Sequence, residues 1–101
     1  MKLLSTINPG VIFGQENNSS LFIRKTVFEV GYTEKDFHNH PNSYEFYLVI
    51  KGILRFATET EEISATEGDI VFFEENEPHK INEVKEQAFL LLIKKIGAVK
   101  G

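Results

Sequence analysis

The feature that most constrains the fold of this chain is its hydrophobic period. Apolar residues recur at every second position in short runs, and turns rich in Gly, Pro, Asn and Asp separate the runs every 8–12 residues or so. No stretch carries a sustained 3.6-residue period with helix caps. The pattern predicts an all-β architecture, a sandwich or barrel, with no helical layer. The expected elements are a short run at Val11–Phe13, strands at Leu21–Val30, Glu45–Ile50, Ile53–Thr58, Glu62–Thr66 and Ile70–Phe73, and extended segments at Phe37–His40, His79–Val84 and Ala88–Lys95. Turns are expected at 14–20 (GQENNSS), at Pro41-Asn42-Ser43, at Glu67-Gly68-Asp69 and at 74–78 (EENEP). Linkers, low-complexity segments and internal repeats are missing from the sequence, so residues 1–101 read as one domain.

Composition narrows the functional classes. At 42% hydrophobic and 26% charged residues, the chain has enough apolar material for a core without staples. It has no cysteine, which excludes disulfides, thiolate metal sites and cysteine nucleophiles and agrees with a reducing cytoplasm, the expected location. A net charge of -4 disfavours a nucleic-acid partner, since phosphate binding draws on a surplus of Lys and Arg. Lys94, Lys95 and Lys100 read as a solvated basic tail. No run reaches the roughly 18 apolar residues of a membrane span, and the opening MKLLSTINPG lacks the apolar centre of a signal peptide.

Two of the three histidines stand one residue apart, at His38 and His40. In an extended segment, residues i and i+2 share a face, with Cβ atoms ~6–7 Å apart. Two imidazoles can close that gap on one metal ion through bonds of about 2.0–2.1 Å. Glu45 is an odd number of residues from His40, but the turn at Pro41-Asn42-Ser43 resets the register. Glu45 can then share the interior face with Tyr47 and Val49, while Phe46, Leu48 and Ile50 take the other. A strand apolar on both faces belongs inside a sandwich or at an interface, which points to a homodimer. His79 opens another extended segment just after a turn. Alone, each of these four residues reads as an ordinary surface or half-buried group; together, all four fall at strand starts beside turns.

These residues resemble the two motifs of the cupins. Gly31, His38, His40, Glu45 and Gly52 follow the first, G-x5-H-x-H-x3-4-E-x6-G, and the segment from Gly68 to His79 follows the second, G-x5-P-x-G-x2-H-x3-N. The resemblance runs from about Leu21 to Leu92, with the short inter-motif segment of small single-domain cupins. It implies a double-stranded β-helix, that is, a jelly-roll β-barrel of two antiparallel sheets, often dimeric. It also implies that His38, His40, Glu45 and His79 are metal ligands and that Gly31, Gly52 and Gly68 are turn glycines. Three neutral nitrogens and one carboxylate suit one divalent transition metal ion: Fe, Mn, Ni, Zn or Cu. Gly31 is one residue farther from His38 than the motif asks. Glu74 and Asn76 replace its Pro and Gly, and Glu83 replaces its final Asn. Asn76 tolerates the left-handed conformation that this turn needs. Glu74, Glu75 and Glu77 are expected to raise the pKa of His79 and to favour a cation.

Two functions follow from the resemblance. One is a metal-dependent enzyme acting on a small molecule, dioxygenase- or isomerase-like, with Tyr44 and Tyr47 as candidate hydrogen-bonding or acid–base groups. The other is a non-catalytic module that binds a sugar or other small ligand. The runs HNHPNSYEFYLVIKGILRF and GDIVFFEENEPHKI also resemble the ligand-binding arm of AraC-type regulators, although no helix-turn-helix segment accompanies them here.

Overall fold

Two long strands organise the chain, and each was expected as two short ones. The computed structural model describes residues 1–16 and 18–96. Its strands are β1 (Gly10–Phe13), β2 (Leu21–Phe28), β3 (Ser43–Thr58), β4 (Glu62–Thr66), β5 (Ile70–Phe73) and β6 (His79–Ile96), and no described residue is helical. All pairings are antiparallel. The order is β1-β2-β6-β3-β4, and β5 also pairs with β3. The all-β jelly-roll expectation is therefore met, with β3 and β6 each continuous through both halves of the roll. The segment Phe37–His40 contributes only a single bridge, His38 with His79.

The reason that β3 runs through Gly52 lies in its side-chain parity. Before Gly52 the buried positions are odd (Ser43, Glu45, Tyr47, Val49); after it they are even (Leu54, Phe56). A strand that keeps strict alternation would turn one of these sets to solvent. β6 makes the same change, from odd at His79 and Ile81 to even at Val84, Ala88, Leu90, Leu92 and Lys94. The register between the two strands shifts on both sides of Lys51, where an irregularity supplies the extra residue. Gly52 makes this possible. Its φ is +105°, and a Cβ built there would lie 2.3 Å from the Gln87 carbonyl oxygen and 2.6 Å from the Ala88 Cα. The period breaks seen in the sequence at Gly52 and between Val84 and Ala88 are thus face changes, not strand ends.

The pairing also shows that the two strands fold back on themselves. Thr58 pairs with His79 at one end and Ser43 with Ile96 at the other. Along an unbent pair, Glu45 would lie roughly 40 Å from the level of His79. Instead, Glu45 Oε1 is 3.4 Å from His79 Nε2. Tyr47 and Val49 from one half meet Leu54, Phe56 and Val84 from the other in one core with Ala65, Val71, Phe73, Ile81, Ala88, Leu90 and Leu92. Burying this cluster supplies the main stabilisation of the fold. Phe46, Leu48 and Ile50, expected on a second buried face, are half-buried on the outside of the chain. Among the described residues, no helix is long and apolar enough to cross a membrane.

Gly52→Ala should lower the unfolding free energy by about 3 kcal/mol, from the sum of backbone strain and the clash with Gln87. Gly68→Ala, with positive φ but open space around the new Cβ, should cost about 1 kcal/mol. Urea denaturation of the two variants checks the difference.

Candidate metal centre

His38 and His79 are locked together by their backbones. The His38 amide donates to the His79 carbonyl at 3.0 Å, and the His79 amide donates back at 2.9 Å. His40 follows two residues later on the same face. Its carbonyl accepts the Asn76 amide at 3.0 Å, and Asn39 donates to the Asn76 side chain at 2.9 Å. Asn76 holds φ at +61°, the left-handed turn expected of it. Asn42, also at positive φ (+63°), turns the chain into β3 and returns Glu45 to the interior. The three histidines each offer a ring nitrogen, all within 4.8 Å of one another. Glu45 Oε1 lies 3.0 Å from His40 Nε2 and 3.4 Å from His79 Nε2. All four residues singled out from the sequence therefore converge.

The proton positions follow from the neighbours. His79 Nδ1 is 2.8 Å from the Glu77 carbonyl oxygen. A carbonyl only accepts, so Nδ1 carries the proton, and Nε2 of the neutral ring is a bare lone pair. That lone pair faces Glu45 Oε1, a second acceptor. Both atoms are buried without a hydrogen-bond partner. Two lone pairs aimed at one space from 3.4 Å apart call for a cation between them. The donor set fits a divalent transition metal.

Surrounding groups hold the donors in place. Phe73 stacks on the His79 ring at 4.0 Å between centroids. The Tyr47 hydroxyl donates to Glu45 Oε2 at 3.1 Å, which leaves Oε1 directed at the histidines. Glu34 Oε1 accepts the Ile81 amide at 2.6 Å and lies 3.3 Å from His38 Nε2. Such outer partners orient ligating imidazoles. Glu34 was not singled out in the sequence, although its place four residues before His38 was visible there.

Two sequence expectations change. Lys94 is no tail residue: it is 3% exposed, and its Nζ lies 3.3 Å from His40 Nδ1. Extending the inward period from Leu90 and Leu92 by two residues would have found it. Lys95 is exposed as expected, and Lys100 lies outside the described residues. Tyr44 stands on the outer face, its ring stacked on Phe72, away from the centre.

Burial lowers the pKa of His79, against the expected rise; the Glu77 carbonyl and the Glu45 and Glu34 charges oppose the shift without reversing it. The side chains of Glu74 and Glu75 are not among the causes. Burial likewise lowers the pKa of His40; Glu45 works against the shift, and Lys94 and the other histidines add to it. Burial, reinforced by Glu45, raises the Tyr47 hydroxyl well above 10.0. It keeps its proton and acts as a donor.

A cavity of about 270 Å³ opens over the cluster, lined by His38, His40, Glu45 and Tyr47 together with Arg24 and Glu34. A second hollow of about 150 Å³ lies between β4 and β5, away from the histidines. Of these two, the first joins space to the histidine cluster.

Comparison with known proteins bears on this arrangement. The family model described as a cupin domain matches residues 25–94. A cupin-2 domain containing protein from Shewanella frigidimarina is 19% identical, over 92% of this chain and 84% of that one, with a TM-score of 0.70. DMSP lyase DddQ from Ruegeria pomeroyi is 25% identical, over 81% of this chain and 41% of that one, with a TM-score of 0.65. An HTH_3 family transcriptional regulator from Vibrio cholerae is 18% identical, over 87% of this chain and 49% of that one, with a TM-score of 0.70. The chain thus spans less than half the length of the last two. No curated protein matches the sequence.

His40 and His79 have folded-state pKa values below the unfolded value of about 6.5. Between those values the unfolded chain binds more protons than the folded one, so stability falls as pH drops below about 6.5. Urea denaturation of the metal-free protein should show a lower midpoint at pH 5.5 than at pH 7.5, and a shallower pH dependence in His40→Asn.

Proposed function

This chain belongs to the cupin family, and on that premise we propose that it is a metal-dependent cupin acting on a small molecule, with one divalent transition metal ion held by His38, His40, Glu45 and His79. The observation that carries this reading is the pair of buried, unpartnered acceptors, His79 Nε2 and Glu45 Oε1, turned toward each other. Three imidazoles and a carboxylate suit Fe, Mn, Ni, Zn or Cu. A metal ion in this setting would act as a Lewis acid on an oxygen of the bound molecule. The chain's own contribution is positional. Glu34 steers His38, the Glu77 carbonyl sets the His79 tautomer, and Tyr47 holds Glu45. The cavity confines the bound molecule beside them. The lack of cysteine supports a reducing cytoplasm as its location.

A second reading, a binding or sensing module without turnover, is supported by the likeness to the Vibrio cholerae regulator. It keeps the same metal and cavity and differs only in the absence of product. Homodimerisation is part of the proposal. Phe72, 43% exposed, and Ile70, 62% exposed, continue the outer apolar face of Tyr44, Phe46 and Leu48, and a second copy would cover it.

Elemental analysis of protein purified without added metal should find close to one equivalent of a transition metal. His40→Ala should weaken metal binding at least about 100-fold, beyond the range typical of outer partners. It should cost the metal-free protein less than about 1 kcal/mol. Equal destabilisation of the two forms would contradict the ligand assignment. Oxygen uptake and product formation across thiols, diketones and catechols then separate enzyme from binder. Sedimentation should give twice the monomer mass, and Phe72→Glu should halve it.

A further inference from the structure

The inner side of β2 carries polar residues where a barrel wall ordinarily takes apolar ones. Arg24 and Thr26 stand between Phe22 and Phe28 in the period-two register, and both line the cavity that holds His38, His40 and Glu45. On the neighbouring strand, Lys94 pairs with Phe22 and takes an equivalent inward position, 3.3 Å from His40 Nδ1; it lines an adjoining hollow with Pro41, Asn42 and Ser43 and stands behind the cavity wall. Two cationic side chains therefore flank one side of the histidine cluster.

The Glu16 carboxylate faces both of them. Glu16 Oε1 is 3.7 Å from Arg24 Nη1, and Glu16 Oε2 is 3.9 Å from Lys94 Nζ. Both distances lie beyond hydrogen-bond length. Glu16 is half-exposed, with 40% of its side chain open to solvent, and stands on the turn before β2. That turn is closed by Gln15 and Ser19, which hydrogen-bond to each other independently of the Glu16 side chain. The Arg24–Glu16 pair, both partners about 40% exposed, contributes little net stability and is easily exchanged. The guanidinium fork is better suited to a carboxylate held bidentately at close range.

We propose that Glu16 marks the place of a ligand's carboxylate, and that the cavity takes a small carboxylic acid whose carboxylate replaces that of Glu16, held by Arg24 on the cavity wall and attracted by Lys94 behind it. The rest of the acid then faces His40 and Glu45. The charge balance favours such a guest. Glu16, Glu34 and Glu45 outweigh Arg24 and Lys94 by one charge, and a divalent ion would leave the site with a net positive charge of one, receptive to a monoanion. At about 270 Å³ the cavity suits a compact acid and lies just below the usual range of drug-sized pockets. The carboxylates already lining it disfavour a dianion such as phosphate. This inference rests on the proposed function only in taking the histidine cluster as the reactive end; the two cations do not depend on it.

The test is calorimetric titration with lactate, its neutral isostere lactamide and inorganic phosphate, on metal-loaded and metal-free protein. Lactate should bind about tenfold tighter than lactamide, the scale of one charge-assisted contact. Arg24→Gln should abolish that preference. Glu16→Gln should tighten lactate binding about threefold by removing a competitor, and leave lactamide unchanged. Equal binding of lactate and lactamide, a preference that survives Arg24→Gln, weaker lactate binding in Glu16→Gln, or phosphate binding ahead of lactate would each overturn the proposal. So would a lack of binding by any carboxylic acid in a series of two to six carbons. Metal content, measured on the same samples, separates the two readings. A lactate preference without metal loading would sink the metal centre alone, and metal loading without the preference would sink the carboxylate site alone.

Discussion

The close approach of Gly52 to Gln87 is the constraint on which the rest of the structure depends. With no side chain at residue 52, the two long strands come within a distance that any Cβ would forbid. They stay paired while both change which set of residues faces inward. That change lets one strand pair serve both halves of the barrel. It also brings Glu45 near the start of β3 against His79 at the start of β6, although the pairing register sets them far apart. The core and the histidine cluster are two results of the same fold-back.

The cluster sits in this core at a cost. A bare imidazole nitrogen of His79, buried and unpartnered, forfeits hydration with nothing in the chain to replace it, and Glu45 Oε1 beside it has only His40 Nε2, 3.0 Å away. The apolar cluster offsets that loss, and burial also lowers the pKa values of His40 and His79, which favours their neutral rings. The groups around the donors have the same purpose. Phe73 fixes the plane of His79, Tyr47 occupies one oxygen of Glu45, and Glu34, itself held by a backbone amide, fixes His38.

Most of the ligand candidates were legible because their signal is local. His38 and His40 share a face by spacing alone, and a turn beside Glu45 allows it to rejoin them. Lys94 was misread because the doublet Lys94-Lys95 resembles a solvated tail. Only the continued alternation from Leu90 through Leu92 turns the first lysine inward and the second outward. Glu34 and Arg24 carried no signal of their own. Each is an ordinary charged residue in a polar or mixed segment, and each gains its role from a partner distant in sequence.

The sequence by itself determined the class of fold, the positions of the turns, and the chemical character of the site, since period, glycine placement and the histidine spacing act over a few residues. Tertiary structure decided that two pairs of expected strands are two single strands, that a lysine lies against His40, and that Glu16 on the cavity wall faces both Arg24 and that lysine. These are matters of register between segments far apart in the chain, and register comes from the whole core packing at once. A strand carries its own alternation in its sequence; which neighbour it meets, and where along its length it may slip by one residue, depends on the backbone that comes to lie against it.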